Sequence, residues 1–442
     1  MGIVRISGRE ALRILRAAFR PNRDGRGGGP VAAFAPRRLE YGWALDAAGC
    51  RLDEALAVYM PGPHSFTGED SAEIHCHGGP VVLEAALASV CAHGARPAGP
   101  GEFTRRACLN GRLDLSRAEA VAEMITAPTL QGARLARNKL AGGLSVRLEE
   151  LRRLLDRLRV LLYAALDFPD LSQEERGDFQ PLLSRLRLGL RELALSHDQA
   201  RIWREGALVV LVGPPNSGKS SLFNALLGRK RALVADLPGT TRDFIEEGLS
   251  LEGLPLRLAD TAGLRSSADA LENAGMELTR SLMTRADIIL LVMEACAAPE
   301  KLPPPADLPE GTPTLALLNK IDLFPDLREW PVSVLGMPCL PVSAESGQGL
   351  ETLRARLAHI LTLPSAGLDL DQAAPPSLRQ KYQLELALRE LDQLEREAAQ
   401  KLPAEILSAR LESAAGFLDE VMGISCPQEV LDQVFAGFCV GK

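Results

Sequence analysis

Several things are scarce in this chain. Aromatic side chains make up only 4% of it, so Leu, Val and Ala must fill whatever cores it builds. Its eight cysteines (50, 76, 91, 108, 296, 339, 426 and 439) form no C-x-x-C pair and keep no regular spacing. That scatter favours reduced thiols in a cytosolic protein over a disulfide framework. Apolar runs are short: "IILLVM" at 288–293 falls far below the ~20 residues needed to span a bilayer. The opening stretch "MGIVRISGREALRILR" is interrupted by charge throughout, which is unlike a signal peptide. Positive charge is also short, with 50 Lys+Arg against 57 Asp+Glu. Tight non-specific binding of nucleic acid draws on phosphate neutralisation, so an acidic chain is poorly suited to it. Any nucleic acid would be gripped largely by a partner.

What is present is ordinary for a soluble globular protein, 46% hydrophobic and 24% charged, with a length that suggests about three domains of roughly 150 residues. Four regions separate. Residues 1–112 carry short apolar segments such as "EALAVYM" and "SAEIHCH", broken by Gly- and Pro-rich stretches, which reads as a mixed α/β or largely β domain. In 113–206, Leu148, Leu151, Leu155, Leu158 and Leu162 recur at helical spacing, "DFPD" at 167–170 breaks the helix, and "PLLSRLRLGLRELAL" starts another. In 207–363 the strand-like runs "ALVVLV", "LPLRLAD", "DIILLVM" and "PTLALLN" alternate with helical patterns, which argues a parallel sheet covered by helices. Helical periodicity resumes in 364–442. An α/β module inserted into a helical domain gives this order.

The inserted module carries the strongest motif. "GPPNSGKSS" at 213–221 is a complete G-x-x-x-x-G-K-[ST] between a strand and a helix. Its backbone amides, from Asn216, Ser217 and Gly218 to Lys219, Ser220 and Ser221, suit phosphate oxygens. Lys219 adds charge at the β/γ-phosphates, and Ser220 can ligate Mg²⁺. "DTAG" supplies Asp260 for the metal's surroundings, then Thr261, Ala262 and Gly263, whose amide can reach a γ-phosphate. "NKID" supplies Asn319, Lys320, Ile321 and Asp322; the Asp can accept from the guanine N1 and N2 hydrogens, which adenine does not offer. "SAE", Ser343, Ala344 and Glu345, follows the next strand, where a backbone amide can meet the guanine carbonyl. Together these resemble a Ras-like GTPase of the translation-factor class. Where Ras-like proteins place a water-orienting Gln, this chain has Leu264, so another group must position water. Asn216 and the segment "ADLPGTTRD" (Ala235, Asp236, Leu237, Pro238, Gly239, Thr240, Thr241 and onward) suggest a monovalent cation held by a side-chain oxygen and switch-loop carbonyls, with Thr241 serving Mg²⁺.

"PGPHSFTGED", "HGGP", "PGEFTRRACLNGRLDLSRAEAV", "DFPD", "PGTTRD", "DTAGLR" and the terminal "CVGK" extend a resemblance over nearly the whole chain. The sequence resembles the MnmE (TrmE) family of tRNA wobble-uridine modification GTPases. The resemblance implies a multidomain α/β protein with an N-terminal α+β folate-binding and dimerisation domain (1–112). A discontinuous helical domain (113–206 and 364–442) would receive an inserted Ras-like P-loop GTPase domain (207–363). It implies a GTP hydrolase that works in the cytoplasm, away from membranes, as a homodimer. An FAD-dependent partner, MnmG (GidA), would join it in a heterotetramer. Together they would build a carboxymethylaminomethyl-type group on C5 of the tRNA uridine from methylene-tetrahydrofolate. By position, Asn216 and Thr240 with the carbonyls of Ala235 and Leu237 would ligate K⁺, and Ser220 and Thr241 would serve Mg²⁺. Glu272 matches the family's water-orienting glutamate. Arg5, Glu73, Arg112 and Lys442 would bind the folate, as 5,10-methylene- or 5-formyl-tetrahydrofolate. The family carries a further strand ahead of "GIVRISG", and folate binding and dimerisation are expected to depend on it.

Other readings stay open. A ribosome-assembly GTPase shares the nucleotide motifs, but it calls for a basic RNA-binding domain that is not visible here. Residues 1–112 could also act as an independent folate-dependent transfer module. His75 and His77 flank Cys76 without further ligands, which reads as sheet packing rather than a metal site. The tail "SCPQEVLDQVFAGF" reads as a capped helix that delivers Cys439 and Lys442. Prenylation of Cys439 is disfavoured by Gly441 and Lys442. A nucleophilic or uridine-positioning thiol and a structural one are both compatible with the residues around it.

Overall fold

Apolar and polar residues alternate in "GIVRIS", and this stretch forms β1 (Gly2–Ser7), with Val4 and Ile6 buried and the residues between them facing outward. The computed structural model describes the chain apart from 23–33, 168–178, 229–245, 252, 261–278, 297–307, 326–328, 366, 401, 426–427, 439–440 and 442. The chain divides into two compact units. One comprises Met1–Ala122, Leu140–Leu183 and Arg389–Lys442, and the other Glu123–Lys139 and Ser184–Leu388. The helices between 113 and 206 are therefore shared between the two units.

In the first unit, β1 is joined by β2 (Phe19–Pro21), β3 (Glu40–Leu45), β4 (Arg51–Met60) and β5 (Ser71–Cys76). They form an antiparallel sheet in the order β1-β5-β4-β3-β2. Helices α1 (Ala11–Ala18) and α2 (Pro80–Ala92) pack on one face of it, where α1 presents Ala11, Ile14, Leu15 and Ala18 at helical spacing. Those side chains meet Val4, Ile6 and Ile74 in a core that also holds Phe19. Fully burying one such aliphatic side chain is worth roughly 1.5–3 kcal/mol. The opposite face carries Arg5, Glu73 and His75. α3 (Glu102–Leu109), most of α4 (Leu115–Thr126) and α6 (Gly143–Asp167) belong to this unit, whereas α5 (Leu130–Leu140) lies almost wholly in the second, where Leu135 enters the core. On α6 the predicted leucine stripe, Leu148 through Leu162, is buried, and the helix packs against Ala404–Met422, which buries Leu407, Leu411 and Leu418.

In the second unit, α7 (Phe179–Glu205) leads into β6 (Ala207–Val212), all six residues of which are buried. Alternate β6 side chains enter two different cores: Val209 and Leu211 on one face, Leu208, Val210 and Val212 on the other. A strand covered on both faces has no use for polar alternation, which is why "ALVVLV" is continuously apolar. α8 (Lys219–Leu227) returns along the first face. β7 (Glu246–Leu251), β8 (Leu254–Asp260), β9 (Ile288–Glu294), β10 (Thr314–Asn319), β11 (Ser333–Val334) and β12 (Met337–Pro341) complete a sheet in the order β11-β12-β10-β9-β6-β8-β7. Its five central strands are parallel, and β7 and β11 cap its edges antiparallel. The expected parallel sheet with helical cover is present. Among the described residues, no helix is long and apolar enough to cross a membrane.

Candidate functional site

The parallel strands of the second unit deliver the predicted chemistry at their carboxyl ends, the usual ligand edge of such a sheet. β6 passes directly into the loop 213–218. Gly213 has φ +148°, and a Cβ there would stand 2.0 Å from the Val292 carbonyl oxygen. Gly218 has φ +87°, and a Cβ there would stand 2.2 Å from Asn319 Nδ2. Any side chain at either point would drive the loop off the strand ends, so both positions require glycine. α8 begins at Lys219, and the start of the helix gives the loop a partial positive charge.

Lys219 is buried, and its Nζ donates to the carbonyls of Gly213 (3.0 Å) and Pro214 (2.8 Å), which keeps the ammonium inside the loop. Ser220 Oγ donates to Asp260 Oδ2 at 2.8 Å, joining the start of α8 to the end of β8. A hydroxyl beside a carboxylate is a hard-oxygen donor set, which fits Mg²⁺. Ser217 Oγ is buried and has no hydrogen-bond partner among the described residues, an orphan polar atom that fits a polar ligand in the loop. Asn216 has φ +62° and is exposed, as is Ser221.

Asn319 ties the motifs together. Its Nδ2 donates to Ser217 O at 2.9 Å, and its Oδ1 accepts from Ala344 N at 3.1 Å. One buried side chain thus links the phosphate loop, "NKID" and "SAE". Asp322 Oδ1 accepts from Ser343 Oγ at 2.5 Å, and Ser343 Oγ accepts in turn from Ser346 N at 3.0 Å, so the Asp322 carboxylate is held in a fixed orientation. Ile321 is buried beneath it, and Lys320 Nζ pairs with Glu294 at 3.1 Å. Glu345 is exposed. Ala235, Asp236, Leu237, Pro238, Gly239, Thr240, Thr241, Thr261, Ala262, Gly263, Glu272, Cys439 and Lys442, expected at the nucleotide or folate sites, lie outside the described residues.

In the first unit the register of β1 with β5 sets Arg5 opposite Glu73, and Arg5 Nε donates to Glu73 Oε1 at 2.9 Å. The guanidinium lies 5.7 Å from the centre of the Phe103 ring. Arg112 is exposed on the loop after α3, its side chain against the turn at Gly68. A cavity of about 540 Å³ is lined by Arg5, Phe103, Arg106, Leu83, Cys91 and Gly441. The chain's end therefore borders the same space as the first strand. The helix Gln428–Ala436 precedes it, and Phe435 and Phe438 pack against Ala118. One participant escaped the sequence reading. His75 Nε2 meets Glu73 Oε2 at 3.0 Å, and His77 Nδ1 meets Asp53 Oδ1 at 2.8 Å, so each histidine faces a carboxylate. The two-residue spacing of Glu73 and His75 on one strand was the available signal. Among the described residues no cluster of three potential metal ligands occurs. Burial pushes the Cys76 thiol up to about 11 and the Cys108 thiol up to about 12, so neither is a nucleophile at neutral pH.

Residues 115–439 match the family described as MnmE helical domain, and residues 1–112 match GTP-binding protein TrmE N-terminus. A protein named tRNA modification GTPase MnmE from Nitratidesulfovibrio vulgaris is 46% identical over 451 residues, which cover 100% of this chain and 96% of that protein. A protein of the same name from Symbiobacterium thermophilum is 39% identical over 459 residues, again covering 100% and 96%. Among solved structures, the G domain of the T. maritima FeoB iron transporter is 26% identical with a TM-score of 0.26, covering 35% of this chain and 98% of that one.

Proposed function

The chain belongs to the MnmE family of tRNA modification GTPases, and from that membership we propose a K⁺-activated GTPase working in a tRNA-modifying complex. GTP binding and hydrolysis are its enzymatic activity. In the proposed reaction its FAD-dependent partner, MnmG, joins it to elaborate C5 of a tRNA wobble uridine in the cytoplasm. The partner also carries most of the tRNA contact, which suits the chain's net charge of −7. The helical segments 113–206 and 364–442 form one domain around the GTPase module of 207–363. Residues 1–112 bind folate and pair two copies.

The observation that carries the reading is the single network in which Asn319 joins Ser217 to Ala344 while Ser343 orients Asp322. Such a network prepares guanine recognition and phosphate binding as one unit. Asp322 accepts the two guanine N–H groups, and Lys219 turns from its own loop carbonyls to the phosphates. Ser220 and Asp260 hold the Mg²⁺ side, with Thr241. Asn216 and Thr240, with the carbonyls of Ala235 and Leu237, hold K⁺. Bound there, the two cations offset charge that develops on the phosphoryl oxygens. Leu264 has no group that can orient water, and Glu272 takes that role through a bridging water. Arg5 and Glu73, with Arg112 and Lys442, bind the folate. The Gly441 contact with the Arg5 cavity supports a role for the tail there, and Cys439 is carried on that tail.

The test is GTP turnover at equal ionic strength in K⁺ and in Na⁺, with Glu272→Ala alongside. We expect turnover in K⁺ well above that in Na⁺, and normal nucleotide binding with little turnover in the variant. Equal rates in the two salts would remove the cation role. Unchanged wobble uridines in tRNA from a deletion strain, read by mass spectrometry, would remove the tRNA role.

A further inference from the structure

Residues 73 and 75 of β5 share the sheet face turned away from α1 and α2, because Ala72, Ile74 and Cys76 between and beside them are buried on the helical side. Both side chains are largely shielded, Glu73 at 16% exposure and His75 at 18%. Glu73 receives one protein group on each oxygen: Arg5 Nε on Oε1 at 2.9 Å and His75 Nε2 on Oε2 at 3.0 Å. An ionised carboxylate only accepts, so beside it His75 Nε2 carries the proton and donates. A single donor would leave the carboxylate free to turn about its last torsion, which is broad and roughly two-fold. Donors on both oxygens fix the plane.

Each carboxylate oxygen has two acceptor positions, and the described residues use one on each. One position on each oxygen is left for two neighbouring N–H donors. A 2-amino-4-oxo-pyrimidine edge, the head of a pterin, presents such a pair. The nearby carboxylate on β4 does not compete for His75, because Asp53 takes the His77 backbone N–H at 2.8 Å and the His77 ring at 2.8 Å.

We propose that His75 is a positioning residue of the folate site, holding the Glu73 carboxylate in the plane that receives the pterin edge. The proposal rests on the folate reading of Arg5 and Glu73. His75 acts through Glu73 and does not itself contact the reacting carbon. Phe103 plays the matching part for Arg5 by backing its guanidinium.

The test is titration of the full chain with 5-formyl-tetrahydrofolate, comparing the parent, His75→Leu, His75→Gln and Glu73→Gln. His75→Leu keeps bulk but removes the donor, and we expect it to weaken binding roughly tenfold. His75→Gln keeps an N–H donor and should stay within about threefold of the parent, as expected when the donor and not the ring is what matters. GTP turnover and thermal midpoint should be unchanged in His75→Leu and His75→Gln. Parent-like affinity in His75→Leu overturns the proposal, and so does equal weakening in the Leu and Gln variants, which would make the role one of packing. If the parent itself shows no saturable binding and Glu73→Gln behaves identically, the folate reading has failed and this proposal falls with it. That result is distinct from a parent that binds while His75→Leu binds as well.

Discussion

In the seven-stranded sheet, the loop, its lysine and its serine lie within the eight residues 213–220, and the residues proposed to read the base lie in two more short runs. In the five-stranded sheet, the central pair of the candidate site, Arg5 and Glu73, is separated by 68 positions and meets only through strand register. The first site is largely backbone, set by two glycines and a helix start. The second is made of side chains on a sheet face. A contiguous backbone cradle announces itself as a motif, whereas a cross-strand pair has no local signature. The two units also differ in their carboxylates. Every carboxylate held below its ordinary range among the described residues, Asp53, Glu102, Glu397 and Glu412, belongs to the first unit.

The contrast breaks most visibly at the base. If Asp322 reads guanine as proposed, Asp322→Asn sets a donor against the guanine N–H pair, and GTP affinity should fall by roughly 10²–10³-fold, with affinity for a xanthosine nucleotide rising. Under the proposed folate reading, binding of 5-formyl-tetrahydrofolate in the first unit should not change. Titration with both nucleotides and 5-formyl-tetrahydrofolate checks this, and a coupled loss of folate binding would mean that the two sites are not independent.

Acid should separate the units next. Glu102 is held at about 2, first by the hydrogen bonds from Arg96 and then, against burial, by Gly99 N and Arg106. A carboxyl whose folded pKa is depressed stabilises the fold above its ordinary value of 4.5, and that contribution is lost as pH falls from there towards 2. Asp53, Glu397 and Glu412 act in the same direction. Hydrogen exchange along an acid titration should therefore show the first unit losing protection at higher pH than the second. Glu102→Gln should lower the first unit's stability at neutral pH and flatten its acid dependence. Simultaneous loss in both units, with no change in slope in the variant, would defeat the electrostatic contrast.

The smallest effect is expected on the strap after the helix Leu350–Thr362. Asn138 Nδ2 donates to the carbonyls of Asp371 (2.8 Å) and Ala373 (3.1 Å), while Leu368 and Leu370 lean on the second unit's core. Asn138→Ala should cost about 1–2 kcal/mol, read as faster exchange near 368–376, and leave nucleotide affinity alone. A loss of GTP binding would show that the cradle depends on more than its own motifs.

Much of this was legible in advance because the physics is local. The continuous apolarity of "ALVVLV" implies cover on both faces, and the α6 leucine stripe implies one packed face. Gly213 and Gly218 are legible because only glycine tolerates their φ values against a neighbouring strand. Asn319 is legible as part of "NKID", but its reach to both Ser217 and Ala344 depends on β6, β10 and β12 ending at the same edge. The His75–Glu73 contact is not legible in the sequence, since an x-H-x-H strand looks like packing until the neighbouring side chains are placed.

By itself, the sequence determined the nucleotide chemistry, the apolar faces and the family, because each is written in residues close together or in a periodicity of one element. The tertiary structure alone decided that Arg5 and His75 converge on one carboxylate, that one asparagine joins three motifs, and that Gly441 borders the cavity beside the first strand. Those facts depend on strand register and helix placement, which are set by burial summed over whole elements and cannot be assigned to any single stretch of residues.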